Sequence, residues 1–394
     1  MIKYNFDEII DRRGTDCIKY DYVGDYFGTD NLIPMWVADM DFRTPDFIIG
    51  AIRARASHEI LGYSKRPDSF YHAIIQWYKR RQNWLIEKDW IVFSPGIVPA
   101  LYFAVRSFTK SGDKIIIQPP VYHPFYSVIN SNHRQVLLNP LKLINDKYFM
   151  DYENLGKIID RKTKLLFLCH PHNPVGRLWS PEELTELGMI CRKHGIIIIS
   201  DEIHSDLVLP GFKHTPLTSL EGNFRDISVT CLAPSKTFNI AGLSTSVVII
   251  PDPDLREKFK DEIENSHLYL GNVFGNVALE AAYSLGDEWL DQLMMYIQKN
   301  FLLLDGFLKQ YIPDIKLIKP EATYLAWLDM HNLHHPDFSL KDFMIQKAKL
   351  ACNDGESFGK EGQGFQRMNI ACPSAMLEKA LHQLKDAVNN LNGM

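Results

Sequence analysis

Hydrophobic residues in the central part of this chain occur in short runs that are separated by amphipathic segments. Polar residues do not alternate within these runs and β-branched residues are common, so each run predicts a short strand buried on both faces. The seven predicted strands span residues 90–93, 114–118, 135–138, 164–169, 195–200, 227–232 and 246–250. Helical patterns separate most of them, and this alternation is typical of an α/β fold.

Capping residues and apolar periodicity predict the helices. Thr44 and Pro45 predict a helix start, with Thr44 as the N-cap, Pro45 at the first helical position and an end near His58. Ser180-Pro-Glu-Glu183 is a capping box, and its helix is predicted to run to His194. Helical patterns also cover residues 68–82, 100–108 and 254–310, while residues 324–328 predict a strand in a second, smaller sheet.

Polar clusters follow two of the predicted strands. The strand at 195–200 leads into Asp201-Glu-Ile-His204, and the strand at 227–232 leads into Ser235-Lys236. Ligands of open α/β sheets bind at the carboxyl ends of the strands, so a carboxylate and a lysine amine can face one site. Pyridoxal phosphate needs both: an amine that bonds the cofactor and an acid beside its pyridine nitrogen. From spacing alone, a solvated lysine and a loop aspartate are the commoner outcome.

Two further patterns are weaker. In Ser94-Pro-Gly96-Ile97-Val98-Pro99, a glycine turn leads into a helix, whose free N–H groups and dipole attract anions, although such turns are routine α/β connections. His170, His172 and His204 suggest a metal site. We predict no metal there, because the sequence has no H-E-x-x-H helix and histidines are common in loops.

Four motifs in the same order resemble one family of enzymes. Asp201-Glu-Ile-His204 followed by Ser235-Lys236-Thr-Phe-Asn239-Ile-Ala-Gly-Leu243 resembles the fold type I aminotransferase superfamily of pyridoxal phosphate enzymes. With Trp36-Val-Ala-Asp-Met-Asp-Phe42 and Cys169-His-Pro-His-Asn173-Pro-Val-Gly-Arg177, the chain is similar to the narrower cystathionine β-lyase or C–S lyase branch, which includes the maltose-regulon modulator. The likeness runs from about Asn5 to the final helix.

This resemblance implies a fold and a division into domains. It implies a seven-stranded, mostly parallel sheet in a large cofactor-binding domain, residues 45–285, and a smaller α+β domain, residues 286–394. Residues 1–44 would form an N-terminal arm and part of the small domain. The family is dimeric, so we expect a homodimer.

The resemblance also assigns roles to single residues. It implies that Lys236 binds pyridoxal 5'-phosphate and acts as the catalytic base, and that Asp201 pairs with the pyridine nitrogen. Tyr122 would stack on the ring and take part in catalysis, and the backbone amide of Ala38 and the guanidinium of Arg367 would hold the substrate carboxylate. The remaining cofactor contacts that it implies are Gly96, Ile97, Val98, Asn173, His204, Ser235 and, from the neighbouring subunit, Tyr63.

The implied activity is a carbon–sulfur β-lyase. It would cleave L-cystathionine or related cysteine S-conjugates to a thiol (homocysteine from cystathionine), pyruvate and ammonia. An aminotransferase is the alternative, since it uses the same lysine. His204 stands where aminotransferases often have Tyr, and Ser244 where they often have Arg; His204 favours the lyase, while Ser244 makes the phosphate site less charged. A regulatory, protein-binding role beside catalysis is a third possibility.

Composition bears on partners and compartment. The formal net charge is −5, with 43 basic and 48 acidic residues and no basic stripe, so we expect neither nucleic acid nor a membrane surface as a partner. The N-terminus lacks the long apolar core of a signal peptide, and no apolar run is long enough to cross a membrane. Six scattered cysteines without a C-x-x-C motif are typical of reduced thiols in the cytoplasm.

Overall fold

The computed structural model describes residues 2–222, 224–333 and 338–392. Its strands are β1 (Ile33–Pro34), β2 (Ile91–Ser94), β3 (Lys114–Ile117), β4 (Gln135–Leu138), β5 (Lys142–Ile144), β6 (Lys147–Phe149), β7 (Thr163–Cys169), β8 (Ile197–Asp201), β9 (Ser228–Leu232), β10 (Ser246–Ile249), β11 (Lys316–Ile318), β12 (Leu325–Asp329), β13 (Leu350–Ala351), β14 (Asn353–Asp354) and β15 (Phe365–Asn369).

The helices connect these strands and cover the sheets. They are α1 (Ile18–Asp21), α2 (Val23–Phe27), α3 (Asp46–Ala56), α4 (Asp68–Gln82), α5 (Ile97–Phe108), α6 (Pro124–Ser131), α7 (Tyr152–Ile158), α8 (Pro181–Lys193), α9 (Pro234–Thr237), α10 (Pro253–Asn265), α11 (Val273–Leu285), α12 (Asp287–Tyr311), α13 (Leu340–Asp342) and α14 (Ser374–Asn392). Within the described ranges, no helix is both long and apolar enough to span a membrane.

The seven predicted strands form one sheet, as expected. Its order is β2-β10-β9-β8-β7-β3-β4, and β10 is antiparallel to both of its neighbours while the other pairs are parallel. Side chains of one strand enter different cores: Ile115 and Ile117 belong to one hydrophobic cluster, and Ile116 belongs to another. Both faces of the sheet are therefore buried at β3, and all its other strands except the edge strand β4 are buried almost throughout, which explains why they are apolar without alternation.

The second sheet confirms the strand predicted at residues 324–328. It is antiparallel, with the order β11-β12-β15-β14, and long helix α12 packs against β11 and α14. The first sheet and this one match the predicted α/β fold with a smaller α+β part. The domain boundaries at residues 44 and 285 stay predictions.

The predicted starts of three helices agree with the structure to different degrees. The capping box is present as predicted: Ser180 accepts a bond from the Glu183 N–H, and the Glu183 carboxylate accepts one from the Ser180 N–H. The N-cap prediction for Thr44 is wrong, since Pro45 is the N-cap and the Thr44 hydroxyl donates to the Asn239 carbonyl oxygen instead. Helix α5 begins at residue 97 rather than 100, because the residues after Gly96 already have helical geometry.

Candidate active site

The carboxyl ends of β8 and β9 open into a cavity of about 380 Å³. Asp201 is the last residue of β8, and Lys236 lies in short helix α9 directly after β9. The cavity collects nearly all of the predicted site residues: Ala38, Gly96, Ile97, Val98, Tyr122, Asn173, Asp201, His204, Ser235, Lys236 and Arg367. Tyr63 is not among them; its side chain is 98% exposed, and its predicted contact with a neighbouring subunit stays a prediction.

Lys236 is desolvated and held by the backbone of the N-terminal segment. Burial lowers the pKa of its amine to about 8, although the nearby charge of Asp39 opposes this shift. The Nζ atom donates to the carbonyl oxygen of Ala38 at 2.6 Å, and the hydroxyl of Tyr324 donates to the same oxygen at 3.0 Å. The lowered pKa makes a larger fraction of the amine neutral near neutral pH than in an exposed lysine, which suits a lysine that must act as nucleophile and base.

The pKa of Asp201 is shifted in the opposite direction. It is 3% exposed, and burial raises the pKa of its carboxyl group to about 7, with a further contribution from the charge of Glu202. The N–H of Ile203 donates to Asp201 Oδ1 at 3.2 Å. Among the described residues no cation forms a salt bridge with Asp201, so burial makes its carboxylate costly, and a positively charged ring nitrogen beside it would be stabilised.

A buried pair lies behind Asp201. Glu202 accepts a hydrogen bond from the Ser200 hydroxyl, and its Oε2 atom lies 2.8 Å from His214 Nε2. Burial raises the pKa of Glu202 to about 7 and lowers the pKa of His214 to about 3. Both shifts favour the neutral forms, so below pH 7 we read this contact as a hydrogen bond donated by the Glu202 carboxyl group, and not as an ion pair.

The start of α5 forms one wall of the cavity. Gly96 is the N-cap, and the intrahelical bonds begin with the N–H of Ala100, so the N–H groups of Ile97 and Val98 lie in the first turn, before the helical ladder. Ser235, Ser244 and Thr245 also line this cavity. Amide groups, hydroxyl groups and a helix N-terminus are the donors expected for a phosphate group.

Arg367 projects from β15 into the cavity with its charge unpaired. Its Nη1 donates to Asn173 Oδ1 at 3.0 Å, and its Nη2 donates to the Trp36 carbonyl oxygen at 2.8 Å and to Asn353 Oδ1 at 2.6 Å. Within the described ranges, no carboxylate forms a salt bridge with it, and Nε is buried without a partner. Burial lowers its pKa to about 10. A ligand carboxylate would supply the missing counter-charge.

The two loop histidines predicted not to bind metal are held by backbone. His170 Nε2 lies 3.1 Å from the Thr215 carbonyl oxygen, and His172 Nε2 lies 2.9 Å from that of Pro120. His204 lines the cavity, and burial lowers its pKa to about 3, so it is neutral. The part of the chain that the structure describes contains no group of three or more potential ligands arranged to hold a metal ion.

Sequence reasoning missed several contributors. Tyr324 and Asn353 bond to site groups from strands in the second sheet or beside it, and neither follows a recognisable motif. The register of β14 and β15 pairs Asn353 directly with Arg367, which explains the contact once the sheet is known. Ser244 has a left-handed backbone with φ 45°, a conformation that its residue type does not signal.

The donor set of this cavity fits pyridoxal phosphate. A desolvated lysine, a buried carboxylate at the neighbouring strand end and an anion-binding helix N-terminus occur together, and Tyr122 supplies an aromatic ring. The profile of the family "Aminotransferase class I and II" matches residues 30–384. The chain belongs to this family, whose cofactor is pyridoxal phosphate.

Within this family, the chain is similar to several individual proteins. The chain is 45% identical over 386 residues to cystathionine beta-lyase PatB of Bacillus subtilis strain 168, which covers 98% of this chain and 100% of that protein. The structure of cystalysin from Treponema denticola, which contains pyridoxal 5'-phosphate, is 36% identical with a TM-score of 0.96 and covers 99% and 100% of the two chains. A pyridoxal-phosphate-bound C-S lyase from Staphylococcus hominis is 36% identical, with a TM-score of 0.92 and 98% coverage of both chains.

Proposed function

We propose that this protein is a pyridoxal-phosphate-dependent carbon–sulfur β-lyase that cleaves L-cystathionine or a related cysteine S-conjugate. The observation that carries the proposal is the 45% identity to a cystathionine beta-lyase over nearly the full length of both chains. The cavity supports it, because it contains both Lys236, whose lowered pKa suits a base, and Arg367, whose unpaired charge suits the carboxylate of an α-amino acid.

The residues divide the reaction between them. When bound, pyridoxal phosphate withdraws electrons from the substrate Cα and so makes its proton acidic. Arg367 binds the α-carboxylate and thereby orients the Cα–H bond, while neutral Lys236 accepts the proton at Nζ. The Cβ–S bond then breaks and the electron pair leaves with sulfur. With one water consumed, the products are a thiol, pyruvate and ammonia.

The other site residues have supporting roles in this proposal. Tyr122 would stack on the ring of bound pyridoxal phosphate, and burial raises its pKa to about 12, so it stays protonated and can act as a hydrogen-bond donor. Asn173 accepts a hydrogen bond from Arg367 and would also bind the ring hydroxyl group, and Asp201 would hold the ring nitrogen. We assign the phosphate to Ser235 and the α5 N-terminus, and a ring contact to His204.

An aminotransferase is the second candidate. The family description itself favours it, because the matched profile is that of class I and II aminotransferases. Lys236 would serve both reactions as the proton carrier, and the two differ in whether sulfur leaves from Cβ or the proton returns to another carbon. A regulatory role beside catalysis stays an open part of this proposal.

We also propose a cytoplasmic homodimer. All six cysteines are free thiols, which suits a reducing compartment. Ile60, Leu61 and Tyr63 form an exposed apolar stretch of 72%, 56% and 98% exposure, which suits burial against a second copy. Light scattering across a concentration series would test the dimer.

The test of function is elimination without an amino acceptor. Purified protein is incubated with pyridoxal phosphate and L-cystathionine, and pyruvate and free thiol are measured together. We expect equal amounts of both, loss of both in Lys236→Ala, and unchanged rates in the control Lys309→Ala, whose side chain is 75% exposed. No product from cystathionine or S-alkyl cysteines, with turnover only after 2-oxoglutarate is added, would move the assignment to the aminotransferase.

A further inference from the structure

One feature of the sequence has no role in the proposed reaction: two carboxylates within the apolar segment 36–42. The segment itself runs through the active site. Its Ala38 carbonyl oxygen accepts the bond from Lys236 Nζ, and its Trp36 carbonyl oxygen accepts one from Arg367. The segment therefore provides a backbone acceptor to each of the two cations in the site. Trp36, Val37 and Ala38 line the cavity, but Asp39 and Asp41 do not.

Two basic residues nearer the N-terminus, Arg12 and Lys19, bind these two carboxylates instead. Arg12 donates to Asp39 Oδ2 at 2.7 Å and to Asp41 Oδ1 at 2.7 Å. Lys19 Nζ lies 2.7 Å from Asp41 Oδ2 and 3.7 Å from Asp39 Oδ1. Lys19 is 1% exposed and Asp41 is 5% exposed, so removal of one partner leaves the others with an unbalanced buried charge. We call these four residues the arm cluster.

Backbone contacts make the same connection. The Trp36 indole donates to the Lys19 carbonyl oxygen at 3.1 Å, and Arg12 donates to the Met40 carbonyl oxygen at 3.1 Å. From the other side, Asn369 Nδ2 donates to the carbonyl oxygens of Val37 and Asp39, each at 2.6 Å. Segment 36–42 is therefore hydrogen-bonded to Arg12 and Lys19 on one side and to β15, the strand that contains Arg367, on the other.

The arm cluster also acts on Lys236 through charge. Asp39 favours the protonated amine, whereas Arg367 disfavours it and Asp201 favours it; His204 also faces the amine but is neutral. Two cations and two carboxylates make the arm cluster neutral overall. If one cation is lost, the arm cluster has a net negative charge, and Asp39 is the member whose charge acts on Lys236.

We propose that Arg12 and Lys19 are positioning residues of the active site, which hold segment 36–42 against Lys236 and Arg367 and keep the charge of its carboxylates balanced. The assay for this inference rests on the proposed function, but the inference itself holds for any reaction that uses Lys236. A purely structural arm would contribute to stability alone.

The test compares Arg12→Met and Lys19→Met with Arg13→Met. Arg13 is the matched control, because it is the neighbouring arginine, is 67% exposed and pairs at 3.8 Å with the exposed Asp11. Three quantities are measured on the holoenzyme: the pH dependence of kcat/KM, the pH titration of the cofactor absorbance at Lys236, and the thermal unfolding curve. The first depends on turnover, and the other two do not.

In Lys19→Met and Arg12→Met we expect the acid limb of kcat/KM and the absorbance titration to move together to higher pH by about half a unit or more, because the uncompensated carboxylate favours protonated Lys236. In Lys19→Met/Asp41→Asn the arm cluster is neutral again, and the titration should return toward the wild-type value. Lys19→Arg and Arg13→Met should match the wild type in both titrations.

Two results would overturn the inference. One is a lowered melting temperature in Lys19→Met and Arg12→Met with unchanged titrations and unchanged kcat and KM. The other is a shift that Asp41→Asn does not reverse. If Lys19→Met does not fold, Arg12→Met, whose side chain is 20% exposed, has the same expected shift and decides. If the wild type shows no lyase activity, the proposed function fails, but the absorbance titration still tests the arm cluster.

Discussion

Arg367→Met should weaken recognition of the substrate carboxylate by a predictable amount. A guanidinium has five N–H donors. Three of them are used within the protein, by Asn173 Oδ1, the Trp36 carbonyl oxygen and Asn353 Oδ1. Two donors remain, one on Nη1 and the buried, unpartnered Nε–H. Because Nε is buried, one charge-assisted bond, from Nη1, is available to a ligand.

This bond sets the magnitude. A hydrogen bond to a charged group contributes about 1.5–3 kcal/mol. At about 1.4 kcal/mol for each tenfold change, Arg367→Met should lower kcat/KM by about 10- to 100-fold. The carboxylate is bound equally in the ground state and the transition state, so most of the loss should appear in KM. Arg367→Lys keeps the charge but not the planar fork, and we expect a smaller loss.

Steady-state kinetics with L-cystathionine measure this effect, and Arg43→Met is the control, since Arg43 is 64% exposed and pairs with Glu8. An S-alkyl cysteamine, which lacks the carboxylate, is tested as a competitive ligand. It should bind the wild type and Arg367→Met with similar affinity. An unchanged KM in Arg367→Met, or an equal loss of affinity for the cysteamine, would show that Arg367 does not bind the carboxylate.

Two further predictions concern stability. Asp201 has a folded pKa of about 7 and a reference value of 3.8, so the folded cofactor-free protein binds more protons between these values and loses stability as the pH rises from about 4 to 7, by up to about 4 kcal/mol. Urea unfolding of cofactor-free wild type and Asp201→Asn should therefore give a stability difference that falls over this window; a difference independent of pH would mean that the carboxyl group is not desolvated. Ser180→Ala removes the N-cap of α8 and should lower the free energy of unfolding by about 1 kcal/mol. Ser127→Ala is the control, because the exposed Ser127 hydroxyl donates to the Pro124 carbonyl oxygen within its own turn; equal stability of the two variants would contradict the capping argument.

The sheet was predictable because its strands are determined by burial. A strand covered on both faces must be apolar throughout, and the runs that lead to Asp201 and Lys236 show this directly. Helix boundaries were less predictable, because tertiary contacts compete for the same groups. The hydroxyl of Thr44 is a good N-cap in isolation, but Asn239 lies close enough to accept its hydrogen bond.

The site was predictable only in part for a related reason. Motifs identify groups that react, such as Lys236, but not groups that hold them. Arg12 and Lys19 lie in a segment without a family motif, and Asn353 contacts Arg367 only because β14 pairs with β15. Such contacts depend on the register and the course of the chain in three dimensions, which one sequence does not determine.

The unpaired charges of the cavity bear on the range of substrates, which the sequence does not determine. Arg367 has spare donors and no carboxylate partner within the described ranges, and the start of α5 offers free N–H groups, so each needs an anion from a ligand. Asp201 likewise needs a cation. These requirements are met by the cofactor and by the α-amino acid part that all candidate substrates share. The leaving group meets no such unpaired charge among the remaining lining residues, which include Val37, His123 and Ile203. The site should therefore be strict toward the amino acid backbone and tolerant toward the group on sulfur.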